Sequence, residues 1–237
     1  MKEIQIIKAE SRGSADYAWL KANYYFSFSN YYNPERMHFG MLRVLNDDFI
    51  EGGMGFAKHP HDNMEIITIP LEGAIAHEDS MGNTSVIHAG DIQVMSAGTG
   101  VVHGEKNFNP NLPLKLFQIW IFPNKKDVAP RYQQITLNTE DRNDKWSQIL
   151  SPNATDEGVW IHQDAWMFRG DFKAGQTVFY NLKNKENGVY LVLINGSIMI
   201  DNEKLDKRDA ASIRNTDGFE IKILDNSEIL VIEVPMN

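Results

Sequence analysis

One pattern occurs twice in this chain and limits what it can fold into. The apolar run Ile66–Leu71 is followed by Glu72-Gly73 and then by Ala74-Ile75; downstream, Tyr190–Ile194 is followed by Asn195-Gly196 and then by Ser197-Ile198. Each copy is an apolar strand, a polar residue with glycine, and another strand. Further on, Gly90-Asp91 precedes an apolar run in the first copy, and Arg208-Asp209 holds the similar place in the second. The duplication predicts two β-barrels of similar design.

The remaining runs agree with an all-β chain. Met64–Leu71, Ile92–Met95, Lys115–Phe122, Val189–Ile194, Ile198–Ile200, Glu220–Leu224 and Glu228–Val234 are short, apolar and bounded by Gly, Asn, Asp and Pro, the spacing of a sandwich or barrel. Asp16–Asn23 is read as a short helical turn. The polar, twice-proline segment Pro123–Tyr132 is read as the linker, dividing the chain into a barrel over residues 1–128 and a second over 129–237.

Composition removes several function classes. Lys+Arg is 23 against Asp+Glu 32, a formal net charge of −9, which is a poor match for a phosphate backbone, so no direct nucleic-acid binding is expected. There are no cysteines, hence no disulfide, thiolate ligand or cysteine nucleophile. Charges at Lys2, Glu3, Lys8 and Glu10 interrupt the N-terminus, and no long apolar window suits a membrane span, so a cytoplasmic protein is expected. No nucleophile elbow and no P-loop is present; Ser80 and Ser96 are read as turn residues.

Two segments carry chemistry. In GFAKHPHDNME (Gly55–Glu65), His59 and His61 are two apart, so a strand presents both to one face. Lys58 beside them disfavours protonated imidazoles. In AGDIQVMSAGTGVVHGEKN (Ala89–Asn107), His103 and Glu105 are again two apart, after a Gly98-Thr99-Gly100 turn that permits a sharp bend. If the two strands pack together, His59, His61, His103 and Glu105 converge as a three-nitrogen, one-carboxylate set. Such a set suits one divalent transition metal, Fe(II) first and Mn, Ni, Co, Cu or Zn as alternatives, better than Mg or Ca. Glu65, four residues after His61, is open to two roles: ligand in place of Glu105, or hydrogen-bond partner of a ligating imidazole. His38, His77, His88 and His162 lack the ligand spacing and are read as loop or core residues, with His38 and His77 as candidates for a pocket rim. The methionines of the first half are read as core, with a few lining an apolar pocket above the metal. Aligning the repeats puts Leu182 and Asn184 near the places of His59 and His61, and Ile221 and Ile223 near those of His103 and Glu105, which predicts a structural second barrel.

These residues resemble the pirin family of the cupin superfamily. His59-Pro60-His61 with Glu65, the turn His77-Glu78-Asp79-Ser80-Met81-Gly82-Asn83, and the whole of Gly90–Glu105 follow its motifs, as do His38–Asp48, Pro130–Gln134 and Ile161–Ala165. Asp62-Asn63-Met64 departs from the Arg-Gly-Phe of many pirins and resembles the bacterial branch. The resemblance implies a monomeric bicupin with one metal in the N-terminal barrel, held by His59, His61, His103 and Glu105, which favours Glu105 over Glu65. It further implies a dioxygenase of the quercetinase type acting on a small aromatic substrate with dioxygen, with Glu105, or a metal-bound hydroxide, as the base that takes the 3-hydroxyl proton of a flavonol. The alternative is a non-catalytic metal-binding redox sensor or regulatory module. A pocket wide enough for a flat aromatic molecule separates the two.

Overall fold

Apolar side chains alternate onto two faces along the central strands, and both faces are covered. In Leu114–Ile121, Phe117, Ile119 and Ile121 join a cluster shared with the C-terminal half, while Leu116, Gln118 and Trp120 face the opposite way. Glu65–Glu72 and Asp91–Ser96 divide alike: Ile67, Ile69, Ile92 and Val94 enter the shared cluster, and Thr68 and Gln93 point into the N-terminal barrel.

The computed structural model describes residues 2–237 and is the all-β bicupin expected, with only two short 3-10 turns besides its strands. The N-terminal barrel has two sheets. The larger runs in the order Arg131–Thr136, Asp91–Ser96, Glu65–Glu72, Leu114–Ile121, Leu42–Ile50, Leu20–Tyr24, Gly13–Asp16. The smaller runs Gly55–His61, Val101–Asn107, Ala74–Asp79, Thr84–His88. The C-terminal barrel is one sheet organised on two long antiparallel strands, Asn187–Ile200 and Gly218–Pro235, whose pairing shifts register between Leu193 and Ile198, where bulges let the ladder bend.

The halves exchange strands. Glu3–Ile7 pairs with Ala210–Arg214 of the C-terminal sheet, and Arg131–Thr136 pairs with Asp91–Ser96 of the N-terminal one. Between the barrels lies a core that takes Phe117, Ile119 and Ile121 from one side and Tyr190, Leu230 and Ile232 from the other.

The repeat is visible at atomic detail. Gly73 and Gly196 have φ of 82° and 97°, and Gly90 and Arg208 have φ of 100° and 69°. After each of the latter an aspartate caps the turn by accepting from the backbone N–H three residues earlier: His88 to Asp91 at 2.9 Å, Asp206 to Asp209 at 3.0 Å.

Three local readings are corrected. Asp16–Asn23 is not helical: Gly13–Asp16 and Leu20–Tyr24 are antiparallel strands, and Asp16 accepts from the N–H of Ala18 in the reversal between them. Val189–Ile194 and Ile198–Ile200 are parts of one strand, as are Glu220–Leu224 and Glu228–Val234, because each Gly- or Asn-bearing interruption is a bulge or bend rather than an end. Tyr132 lies in a strand rather than in a linker.

Candidate metal centre

The smaller N-terminal sheet carries the clustered histidines. Gly55–His61 pairs antiparallel with Val101–Asn107, and His103 is the register partner of His59. The two-residue period places His59 with His61, and His103 with Glu105, on the inner face. Ring centroids are 4.5 Å apart for His59–His103, 4.8 Å for His59–His61 and 5.0 Å for His61–His103. One ring nitrogen from each lies within 4.8 Å of the others.

These nitrogens lack protein partners. His61 Nε2 and both His103 ring nitrogens are buried without a hydrogen bond. The Nδ1 of His59 is 2.8 Å from the carbonyl of Ala57; donation there leaves the Nε2 lone pair for another partner. Burial, then the neighbouring imidazoles, push the His61 pKa down to about 4 and that of His103 to about 3. Lys58 has no part in this. Its ammonium turns outward to Glu78 at 3.3 Å, as the residue preceding the inward His59 in an alternating strand must. The donor set therefore fits a divalent metal: neutral imidazoles whose buried nitrogens nothing else satisfies.

Glu105 is 5 % exposed and opposes Phe56 across one neighbouring strand and His77 across the other. Gln118 Nε2 donates to its Oε2 at 3.2 Å, and Thr68 Oγ1 to its Oε1 at 3.4 Å. Burial outweighs these donors and pushes its pKa up to about 7. Its carboxylate groups with His103 and His77, so the four residues named from sequence fall into two overlapping triads that share His103.

His77 is the residue that the spacing argument missed. It is 2 % exposed, its ring centroid is 5.4 Å from that of His103, its Nε2 is 3.2 Å from Asp79 Oδ2, and its Nδ1 is unpartnered. The signal was present as His77-x-Asp79, the same two-residue spacing that marks the other strands. Of the remaining histidines, His38 bonds the carbonyl of Gly40, while His88 and His162 lie against Phe108 and Trp160.

Glu65 is directed elsewhere. The strand of His61 ends there, Asn63 adopts φ of 44°, and a new strand starts at Glu65, so the two-residue period does not carry across. Ser96 donates to its carboxylate at 2.7 Å, and burial raises its pKa to about 7 despite nearby Arg131. Ser96 is thus a buried strand residue; Ser80 does sit in a turn, its hydroxyl accepting from the N–H of Val102.

Beside the cluster is a cavity of about 550 Å³. His59, Glu105 and Gln118 form one part of its wall; Trp19, Tyr24, Phe28, Phe56 and Trp120 supply aromatic surface, and Asn46 and Asp48 a polar stretch. Aromatic rings, not methionines, line it: Met64 and Met81 pack instead against Ile66, Met95 and Val101. In the second barrel Ile221 and Ile223 are buried in an apolar core with Leu182 packed on it, and Asn184 accepts from the N–H of Glu186 in a turn.

The chain matches the pirin family over residues 6–121 and the quercetinase C-terminal cupin domain over residues 148–234. It is 38 % identical to quercetin 2,3-dioxygenase of Escherichia coli K12 across 98 % of this chain and 99 % of that protein. It is 40 % identical to a pirin-like protein of Caulobacter vibrioides, covering 93 % and 95 % of the two chains. In structure it superposes with a TM-score of 0.93 on the bacterial pirin YhhW from Escherichia coli in complex with nickel(II), at 37 % identity and with 98 % and 99 % of the chains covered.

Proposed function

The chain belongs to the pirin family, and from that premise we propose that it is a metal-dependent dioxygenase that opens the heterocyclic ring of a flavonol such as quercetin, releasing carbon monoxide. The single observation that carries this reading is the placement of unpartnered, buried imidazole nitrogens beside an aromatic-lined cavity of about 550 Å³. A redox sensor needs no such cavity.

His59, His61, His103 and Glu105 are the proposed ligands of one divalent transition metal, Fe(II) ahead of Mn, Ni, Co, Cu and Zn; the relative YhhW has been solved with nickel(II). Bound there, the metal supplies Lewis acidity and a template that brings substrate and dioxygen together. The protein does the rest. Glu105 is the proposed base for the 3-hydroxyl proton, its buried carboxylate standing in the wall of the aromatic cavity. Gln118 and Thr68 hold the carboxylate in place. Phe56, Trp19 and Trp120 offer aromatic surface against which flat rings can pack.

The test is quercetin-dependent oxygen uptake by protein loaded separately with Fe(II), Mn, Ni, Co and Cu, beside a His61→Ala control. Turnover that requires metal and vanishes in the control is the expected result. No uptake by protein that binds metal stoichiometrically would move the assignment to the sensor reading. Glu105→Gln is expected to retain some metal and lose most turnover; unchanged turnover would remove Glu105 from the chemistry.

A further inference from the structure

Behind the strand Leu42–Ile50 lies a second, chemically different space. Asp48 faces the aromatic cavity, while its neighbour Asp47 faces the junction of the two barrels, where its carboxylate meets Arg12 at 3.0 Å and Arg208 at 3.2 Å. Arg208 opens onto a cleft of about 490 Å³ whose wall also holds Lys115, Arg142, Arg169 and Lys207. Five cations on one cleft are unexpected in a chain of net charge −9.

The acids nearby do not neutralise them fully. Arg142 is paired with Asp171 at 2.6 Å and Lys115 with Glu72 at 2.5 Å. Asp47 is one carboxylate shared by two guanidiniums. Arg169 is 5 % exposed, its Nε has no partner, and its one ion pair is a 3.5 Å contact to Glu228. Lys207 is exposed and has no ion pair among the described residues. Burial and then the charge of Arg142 pull the Arg169 guanidinium down to about 10, the direction expected of a buried cation short of negative partners.

We propose that this inter-barrel cleft is an oxyanion-binding site for a small ligand carrying two or more negative charges, of the phosphate or polycarboxylate class. The guanidiniums of Arg142, Arg169 and Arg208 supply forked donors matched to such oxygens, and Lys207 adds a free ammonium at the rim. A bound anion offsets the buried charge of Arg169 and relieves repulsion between the cations. The site is separate from the proposed metal centre and does not depend on the dioxygenase reading.

The experiment uses the full chain, with thermal unfolding and calorimetric titration against sodium phosphate and against citrate, and sodium chloride at matched ionic strength. Saturable stabilisation by either anion is expected, and the one that saturates names the ligand class. Lys207→Ala, a surface change that should not disturb folding, is expected to weaken that binding about five-fold or more, the loss of one charge-assisted contact. Arg169→Gln is expected to abolish it; should that variant not fold, Lys207→Ala carries the test alone. Stabilisation that follows ionic strength equally in chloride, or titrations of Lys207→Ala that superimpose on the parent, would overturn the site.

Discussion

Gln118 donates from Nε2 to Glu105 Oε2 at 3.2 Å, tying the candidate base on the smaller sheet to the middle of the larger one. Removing that donor leaves a buried carboxylate with only Thr68 at 3.4 Å. Gln118→Leu should still bind metal, because the three histidine ligands are untouched. It should lower kcat about ten-fold or more with little change in KM, since a misplaced base affects the chemical step rather than ring binding. Steady-state kinetics alongside metal analysis checks this; an unchanged kcat would mean that Gln118 does not position Glu105.

His77 faces Glu105 across a strand pair and packs beside His103, with Asp79 on its Nε2. Whether it ligates or orients, its loss should be felt at the metal. His77→Phe is expected to lower metal affinity about 10- to 100-fold, the usual effect of deleting a group that supports a ligand. Chelator competition measures it. Affinity equal to that of the parent would reduce His77 to a packing residue.

Much of this arrangement was legible before the fold was known, for identifiable reasons. His59-x-His61 and His103-x-Glu105 obey a period fixed by strand geometry, and the strands that bear them are neighbours. The repeat around Gly73 and Gly196 survives as matching positive-φ turns. What could not be read depends on tertiary neighbours. Glu65 matched the same period on paper, yet the break at Asn63 resets the phase. Thr68 and Gln118 look unremarkable in sequence, and only the pairing of Leu114–Ile121 with Glu65–Glu72 sets them together beneath Glu105. The aromatic wall comes from Trp19, Tyr24, Phe56 and Trp120, which four separate strands and turns bring to one cavity.

The aromatic cavity makes its own prediction. Ala22, 2 % exposed, sits in its wall on Leu20–Tyr24, remote in sequence from every candidate ligand. A larger side chain in a filled core would cost about 1–3 kcal/mol, but here open space receives the ring. Ala22→Phe is therefore expected to keep its metal and most of its thermal stability while raising KM for quercetin about ten-fold or abolishing turnover. Titration of the substrate and a melting curve test the two halves together. Undiminished turnover would show that the substrate reaches the metal by another route.

Asp48 supplies a pH signature. Its carboxyl is buried, its Oδ1 has no partner, and burial, followed by the charges of Asp47 and Glu105, pushes its pKa up to about 8 from the ordinary carboxylate value of 3.8. Between these two values the folded protein holds a proton that the unfolded chain has released. Stability contributed by this residue is therefore intact below about pH 4 and is lost progressively as pH rises towards 8. Asn at this position keeps the shape without the charge. Metal-free Asp48→Asn should melt close to the parent near pH 4 and several degrees above it near pH 8, the gap widening across that window. Comparing the two metal-free proteins cancels the titration of Glu65 and reads Asp48 together with its coupling to Glu105. Melting curves that run parallel from pH 4 to pH 8 would show that Asp48 is ionised in the fold, with a cation or water supplying the partner its Oδ1 lacks.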